Sequence, residues 1–351
     1  MRRPVLLLAI ATLLVAQGPV YADDLLFGGF SSYLDSLRVQ ARIPGLTAAV
    51  IGGDAILWEG AFGQRNVENA IATRTDAPFH LDGLTEVFTA ELVLRCVEEG
   101  RLSLDDRIGQ YASDATDGNA TLRELLTHTS GSTDGPAFAY HPERLTPLAS
   151  AIAACRGKSY RSEIRDLATR LAMTDTVPGP DALSVVPPAD DFTRSDIDKY
   201  AAVLGRLATP YSVDGDGGAT PSVYTPTTLT PSSGLISTVD DYAKFDLALR
   251  QGILLKPETL AAAWQAPLDQ NGQPLPHGLG WFVQTYHGET IAWQFGLEEN
   301  ASSSLVLTVP GRGLTLVLMA NSDGLEKAFS PELGDVTASP FARVFLSLFV
   351  R

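Results

Sequence analysis

Apolar residues recur along the chain at two periods, and the change from one period to the other predicts the elements. From Ser31 to Arg42, Tyr33, Leu34, Leu37 and Ala41 fall at helical spacing. Two runs of strand character follow, Leu46–Ile51 and Ala55–Phe62, joined across Gly52-Gly53-Asp54 as a hairpin. Thr85–Glu99 predicts a helix closed by Gly100. Its Glu91, Arg95 and Glu98 share one stripe, which leaves Val87, Phe88, Ala90, Val93, Leu94 and Val97 for burial. Further helices are expected at Thr121–Leu126, about Arg144–Arg156 and Tyr160–Leu171, and residues 172–236 look loop-rich, with Pro and Gly throughout. Thr238–Arg250 is a helix with a Thr238-x-x-Asp241 cap. The pattern then turns to strands at Trp281–Gln284, Thr290–Trp293, Leu305–Val309 and Leu314–Met319, before Pro340 opens an amphipathic helix carrying Phe341, Val344, Phe345 and Leu348. Strands at both ends and helices between them predict an α/β chain of α+β type. One antiparallel sheet is built from both termini, with helices on it and a helical lobe inserted.

The first residues change this picture. Arg2 and Arg3 precede an apolar run from Val5 to Ala16, and Val20-Tyr21-Ala22 offers a small-x-small site before Asp23-Asp24. That is the pattern of a secretory signal peptide over residues 1–22, and it implies a secreted or periplasmic protein. The run is short of the roughly 20 apolar residues a membrane span needs. Removing it leaves 329 residues, and losing Arg2 and Arg3 takes the net charge from −15 to −17. We divide this remainder into a sheet lobe, about 23–80 and 270–351, and a helical lobe, about 81–269.

Charge and composition act mainly to exclude. With 41 acidic side chains against 26 basic, the chain lacks the cationic surplus that phosphate binding requires, so no nucleic-acid partner is expected. Five histidines without HxxxH or His/Cys spacing predict no metal site, and no cofactor is implied. Export permits disulfides, yet Cys96 and Cys155 each sit in an apolar helical run and read first as buried small hydrophobes.

A set of strings in fixed order carries a resemblance. It comprises Ile43-Pro44-Gly45, Phe79-His80-Leu81 leading into Phe88-Thr89-Ala90, and Glu98-Glu99-Gly100-Arg101-Leu102-Ser103-Leu104-Asp105-Asp106. It continues with Leu125-Leu126-Thr127-His128-Thr129-Ser130-Gly131, Met173-Thr174-Asp175-Thr176 and Gly234-Leu235-Ile236-Ser237-Thr238, and ends with Gly278-Leu279-Gly280-Trp281 and Ala320-Asn321-Ser322. In these strings the chain resembles the serine β-lactamase-like family, which includes class C β-lactamases, D-alanyl-D-alanine carboxypeptidases and esterases. The resemblance implies the β-lactamase/transpeptidase-like fold; function must be argued from the site.

Members of that family attack a carbonyl with the serine of an S-x-x-K motif at the start of a helix. The corresponding string here is Gly83-Leu84-Thr85-Glu86, so Gly83 stands at the nucleophile and Glu86 at the lysine. Thr85 is the nearest hydroxyl, but two helical positions turn it roughly 200° away. No S-x-x-K occurs elsewhere in the chain. The family's Y-x-N corresponds to Tyr140-His141-Pro142, and its (Lys/His)-x-Gly to Gln294-Phe295-Gly296. By the same resemblance the oxyanion hole would use the amides of Gly83 and Leu297. The candidate ligand-binding residues are therefore Gly83, Gln294, Gly296 and Leu297, and the candidate catalytic residues are Tyr140 and Glu86.

Glu86 admits three roles: a first-turn acid favourable to the helix dipole, a ligand-contacting carboxylate, or an acid–base pair with Tyr140. The helical wheel sets it opposite Glu91, Arg95 and Glu98, on the buried side, where a carboxylate needs a partner or its pKa rises. His128 reads as a turn residue. Asp214-Gly215-Asp216-Gly217-Gly218 looks like half a calcium loop, but Thr225 stands where the closing glutamate belongs. Three functions remain open. The chain is a catalytically impaired relative that keeps a pocket for an acyl or peptidoglycan-like ligand, a hydrolase with a replacement nucleophile or a Glu86-activated water, or an interaction protein with a vestigial pocket.

Overall fold

The computed structural model describes residues 20–131, 135–184, 192–327 and 329–350. Residues 1–19, most of the expected signal segment, lie outside them. The chain opens with α1 (Val20–Gln40), β1 (Gly45–Gly52), β2 (Ala55–Asn66), β3 (Ile71–Ala72) and β4 (Phe79–His80). It continues with α2 (Thr85–Glu98), α3 (Leu122–Leu126), α4 (Leu148–Arg156), α5 (Tyr160–Arg170) and α6 (Arg194–Leu204). Next come β5 (Tyr211–Val213), β6 (Ala219–Pro221), β7 (Ile236–Ser237), α7 (Val239–Arg250) and α8 (Pro257–Ala263). The chain closes with β8 (Phe282–Tyr286), β9 (Glu289–Glu298), β10 (Ser302–Val309), β11 (Leu314–Ala320) and α9 (Pro340–Phe349).

The main sheet has seven strands in the order β3-β2-β1-β11-β10-β9-β8. Each pairing is antiparallel, and the two ends of the chain meet where β1 pairs with β11, Ala48 opposite Leu318. Alternation sends side chains to two cores. Leu46, Ala48 and Val50 of β1 join Leu316 and Leu318 of β11 beneath α1 and α9, against Phe30, Leu34, Phe341 and Phe345. Ala49 and Ile51 join Val317 and Met319 on the opposite face, beneath α2 and α7. The expected α/β architecture, with a central antiparallel sheet flanked by helices, is the observed one.

Several elements differ from expectation for identifiable reasons. Helix α1 begins at Val20 instead of Ser31, because Phe27 and Phe30 extend its apolar stripe onto Trp58 and Phe349 in spite of Gly28-Gly29. Pro147 splits the expected Arg144–Arg156 helix into a 3₁₀ turn, Pro142–Leu145, and α4. The loop-rich stretch contains α6, started by a Thr193/Asp196 capping box. Asp214–Gly218 is a surface turn whose Asp214 carboxylate accepts the N–H groups of Asp216 and Gly218.

Two expectations about α2 are corrected. Cys96 and Cys155 are not separate buried thiols but a disulfide between α2 and α4, with Cα atoms 6.3 Å apart. Helical spacing reports the face on which each cysteine lies, not the element opposite it. Glu91 does not lie on a solvated stripe, since it is 0% exposed and pairs with Arg95, itself facing Glu163 across to α5. Helix α2 is thus covered on nearly all sides, and burial pushes the Glu91 carboxyl up to about 7 against the pull of Arg95.

The disulfide closes a 59-residue separation, which in a chain-entropy estimate stabilises the fold by about 4 kcal/mol. Intact mass after alkylation is expected to show no modified thiol before reduction and two after it. Replacing both cysteines by alanine is expected to lower denaturation stability by roughly 2–4 kcal/mol.

Candidate functional site

The turn that starts α2 is bound to the sheet. Ser304 of β10 donates to the Leu81 carbonyl at 2.8 Å, and Ser302 donates to the Asp82 carboxylate at 2.9 Å. Asp82 adopts a left-handed φ of 50°, uncommon for a residue with a side chain. Burial pushes its carboxyl up to about 7, with the Tyr224 and Ser302 hydroxyls opposing.

One turn on, Glu86 points into the seam between α2 and β9 and is 1% exposed. Tyr140 donates to Oε1 at 2.7 Å, while Gln294 donates to Oε2 at 3.0 Å and His128 Nε2 lies 3.2 Å from the same oxygen. The His141 N–H faces His128 Nδ1 at 3.3 Å, which assigns the ring proton to Nε2 and makes the imidazole a donor to Glu86. Burial pushes Glu86 up to about 8, opposed by the Tyr140 and Gln294 bonds, and holds His128 down near 3. The pair is therefore a hydrogen bond and not an ion pair. Burial together with Glu86 raises the Tyr140 phenol well above its ordinary value, so it remains a donor.

Gly83 occupies the nucleophile position, and its surroundings leave no room for a side chain. A Cβ there would lie 2.5 Å from the Phe295 carbonyl oxygen and 3.3 Å from the Tyr140 hydroxyl. Gly296 is equally confined, since a Cβ would come within 2.2 Å of the Leu81 carbonyl. Backbone φ does not impose the glycine at 83; contact with β9 does. Thr85 faces the other way, its hydroxyl accepting the Leu235 N–H at 3.4 Å.

Tyr140, Gly83 and Leu297 border a cleft of about 250 Å³, with Asp82, Glu143, Glu298, Ser232 and Ser233. Gln294 and Gly296 do not line it, because Gln294 is committed to Glu86 and Gly296 is pressed on Leu81. The structure thus joins Glu86, Tyr140 and Gln294 at one point and sets Gly83 and Leu297 on the neighbouring opening. Sequence reasoning missed Asp82, whose left-handed turn has no local signal. It also missed that His128 reaches Glu86 and that His277 joins them, the nearest donor atoms of the three residues lying within 4.8 Å of one another. A larger cavity of about 770 Å³, near Ile108 and Pro147, contains none of the predicted site residues.

Comparison with known proteins shows the family and the fold. The Beta-lactamase family model matches residues 30–334, and the chain belongs to that family. It is 36% identical over 104 residues to penicillin-binding protein 4 of Amycolatopsis lactamdurans, covering 28% of this chain and 27% of that protein. It is 24% identical over 205 residues to the D-alanyl-D-alanine-carboxypeptidase/endopeptidase AmpH of Escherichia coli K12, covering 46% and 52%. The chain thus spans from about a quarter to half the length of these curated relatives. Among solved structures, the octameric penicillin-binding protein homologue of Pyrococcus abyssi superposes with a TM-score of 0.73 at 19% identity, over 92% of this chain and 77% of that one. The D-amino acid amidase of Ochrobactrum anthropi gives 0.72 at 20%, over 92% and 98%. At such identities the likeness shows the fold.

The raised carboxyls fix the sign of the pH dependence. Glu86, Asp82 and Glu91 bind protons more tightly folded than unfolded, so their contribution is complete below their ordinary values and is lost as pH rises through the folded ones. Below about pH 6.5 the buried His80, His128 and His277, held below their ordinary values, oppose this trend. The urea midpoint is therefore expected to fall between about pH 6.5 and about pH 8.5, and Glu86→Gln to flatten the upper part of that fall. Gly83→Ala is expected to cost roughly 1–3 kcal/mol, read in the same melts, because β9 must move to admit the methyl group.

Proposed function

We propose that the chain is a non-hydrolysing member of the β-lactamase family that acts as an exported binding protein for a small ligand. The reading rests on one observation: the space of the nucleophile's side chain is taken by the Phe295 carbonyl, 2.5 Å from where a Cβ at Gly83 would stand. A water-activating role for Glu86 is disfavoured by its partners, because both carboxylate oxygens already accept hydrogen bonds. In hydrolases of this mechanistic type, loss of the nucleophile removes about a million-fold in turnover.

The lining of the cleft supports one ligand class over another. Its described lining carries Asp82, Glu143 and Glu298 and no Lys, Arg or His. That disfavours a free carboxylate and favours an amine-bearing acyl compound, such as an amino-acid amide or the amino end of a peptidoglycan-like peptide. A volume of about 250 Å³ lies just below the roughly 300–1,000 Å³ typical of ligand pockets, so the ligand is small.

Fluorescent penicillin and a fluorophosphonate probe are both expected to leave the protein unlabelled; stoichiometric labelling at any residue overturns the reading. The double change Gly83→Ser with Glu86→Lys is expected to stay inert toward a p-nitrophenyl ester, since β9 still fills the pocket. In NMR titrations alanine amide is expected to shift resonances of Tyr140 and Leu297, and N-acetylalanine to leave them unmoved.

A further inference from the structure

Glu86, His128 and His277 come from the first turn of α2, the turn after α3 and the segment before β8, and all three are buried. One donor atom of each lies within 4.8 Å of those of the other two. The rings of His128 and His277 meet edge to face at 4.7 Å, and Glu86 Oε2 stands 3.2 Å from His128 Nε2. His277 Nδ1 contacts the Gly278 carbonyl at 2.8 Å, so it carries the ring proton and leaves the lone pair on Nε2, with the Leu126 carbonyl also against the ring. That Nε2 is buried without a hydrogen-bond partner. An imidazole lone pair, turned by a carbonyl on the ring's other nitrogen, is the arrangement of a metal-ligating histidine.

From these residues we propose that Glu86, His128 and His277 form a buried divalent transition-metal site of zinc type, lying deeper than the ligand cleft. Zinc bonds of about 2.0–2.2 Å to nitrogen and oxygen separate neighbouring donors by roughly 3.3–3.5 Å in a tetrahedron. The Glu86–His128 separation already matches this, and the widest pair, within 4.8 Å, closes by at most about 1.5 Å. Two imidazoles and one carboxylate select a borderline cation such as Zn²⁺ over Mg²⁺ or Ca²⁺, which prefer all-oxygen cages. Three protein ligands leave one position open. Tyr140 and Gln294 remain on Glu86 as outer hydrogen bonds that orient it. Ligation moves the single ring proton of His128 from Nε2 to Nδ1, and the 3.3 Å contact with the His141 N–H opens. The pattern escapes a spacing search because His128 and His277 are far apart in the chain.

The test uses the untagged, chelator-stripped full chain titrated with Zn²⁺. One equivalent is expected to bind with a rise in Tm, and Mg²⁺ at the same concentration to do neither. Glu86→Gln and His277→Gln are each expected to weaken binding by more than about 100-fold. His141→Ala, at the exposed His141/Glu143 pair, is expected to leave it unchanged. Co²⁺ added to the unaltered protein is expected to give the intense visible bands of four-coordinate cobalt, a readout that needs no variant to fold. Absence of binding at roughly millimolar Zn²⁺, binding retained in both Glu86→Gln and His277→Gln, or only the weak bands of six-coordinate Co²⁺ overturns the site. Metal uptake and probe labelling are separate measurements, so this inference and the non-hydrolysing reading fail independently.

Discussion

Burying an ionisable group between a helix and a sheet sets demands on every segment that surrounds it, and Glu86 makes those demands here. Its carboxyl lies out of water in the seam where α2 faces the sheet, and it draws donors from three places: the Tyr140 loop, the turn at His128 and the strand β9 through Gln294. Removing Tyr140 would leave Oε1 a buried acceptor without a donor, at roughly 1–3 kcal/mol, whereas Gln294 and His128 share Oε2. One side chain thereby fixes the loop, the turn and the strand relative to the first turn of α2. Its raised proton affinity is the same fact seen electrostatically, since desolvation outweighs the donors gathered around it.

The second constraint is the closeness of β9 to the turn before α2. Ser302 and Ser304 of β10 hold that turn from one side, and Asp82 accepts a left-handed backbone to follow them. Phe295 and Gly296 then meet Leu81 and Gly83 backbone to backbone. On the proposed reading, binding and chemistry part company at this point. The opening beside Gly83 is bordered by acids and hydroxyls that can receive an amine, while the place from which a nucleophile would act is occupied by a peptide carbonyl.

Much of the fold is legible in the sequence because periodicity reports which face of an element is buried. The hairpin of β1 and β2, helix α7 and the order of the last strands follow from local pattern, and the departure at Gly83 and Glu86 is visible by resemblance alone. Local pattern does not say what stands opposite a buried face. The Cys96–Cys155 bond, the burial of Glu91 and the extension of α1 over Trp58 each depend on a partner distant in sequence. The site carries this limit furthest. Gln294 reaches Glu86 across 208 positions and His128 across 42, and the carbonyl that fills the pocket belongs to no motif because every residue has one.

That filled pocket bears on history as well as mechanism. A lone change of Gly83 to serine meets the Phe295 carbonyl before it meets any substrate. A lone change of Glu86 to lysine places an ammonium among the donors Tyr140, Gln294 and His128, none of which offers it a counter-charge. Each step toward the family's serine–lysine arrangement is uphill until the other is made and the strand has moved. On the non-hydrolysing reading, the packing of β9 on Gly83 works as a ratchet: with the strand settled there, selection acting one substitution at a time has no downhill route to a serine nucleophile, and is left to act on what the cleft can hold.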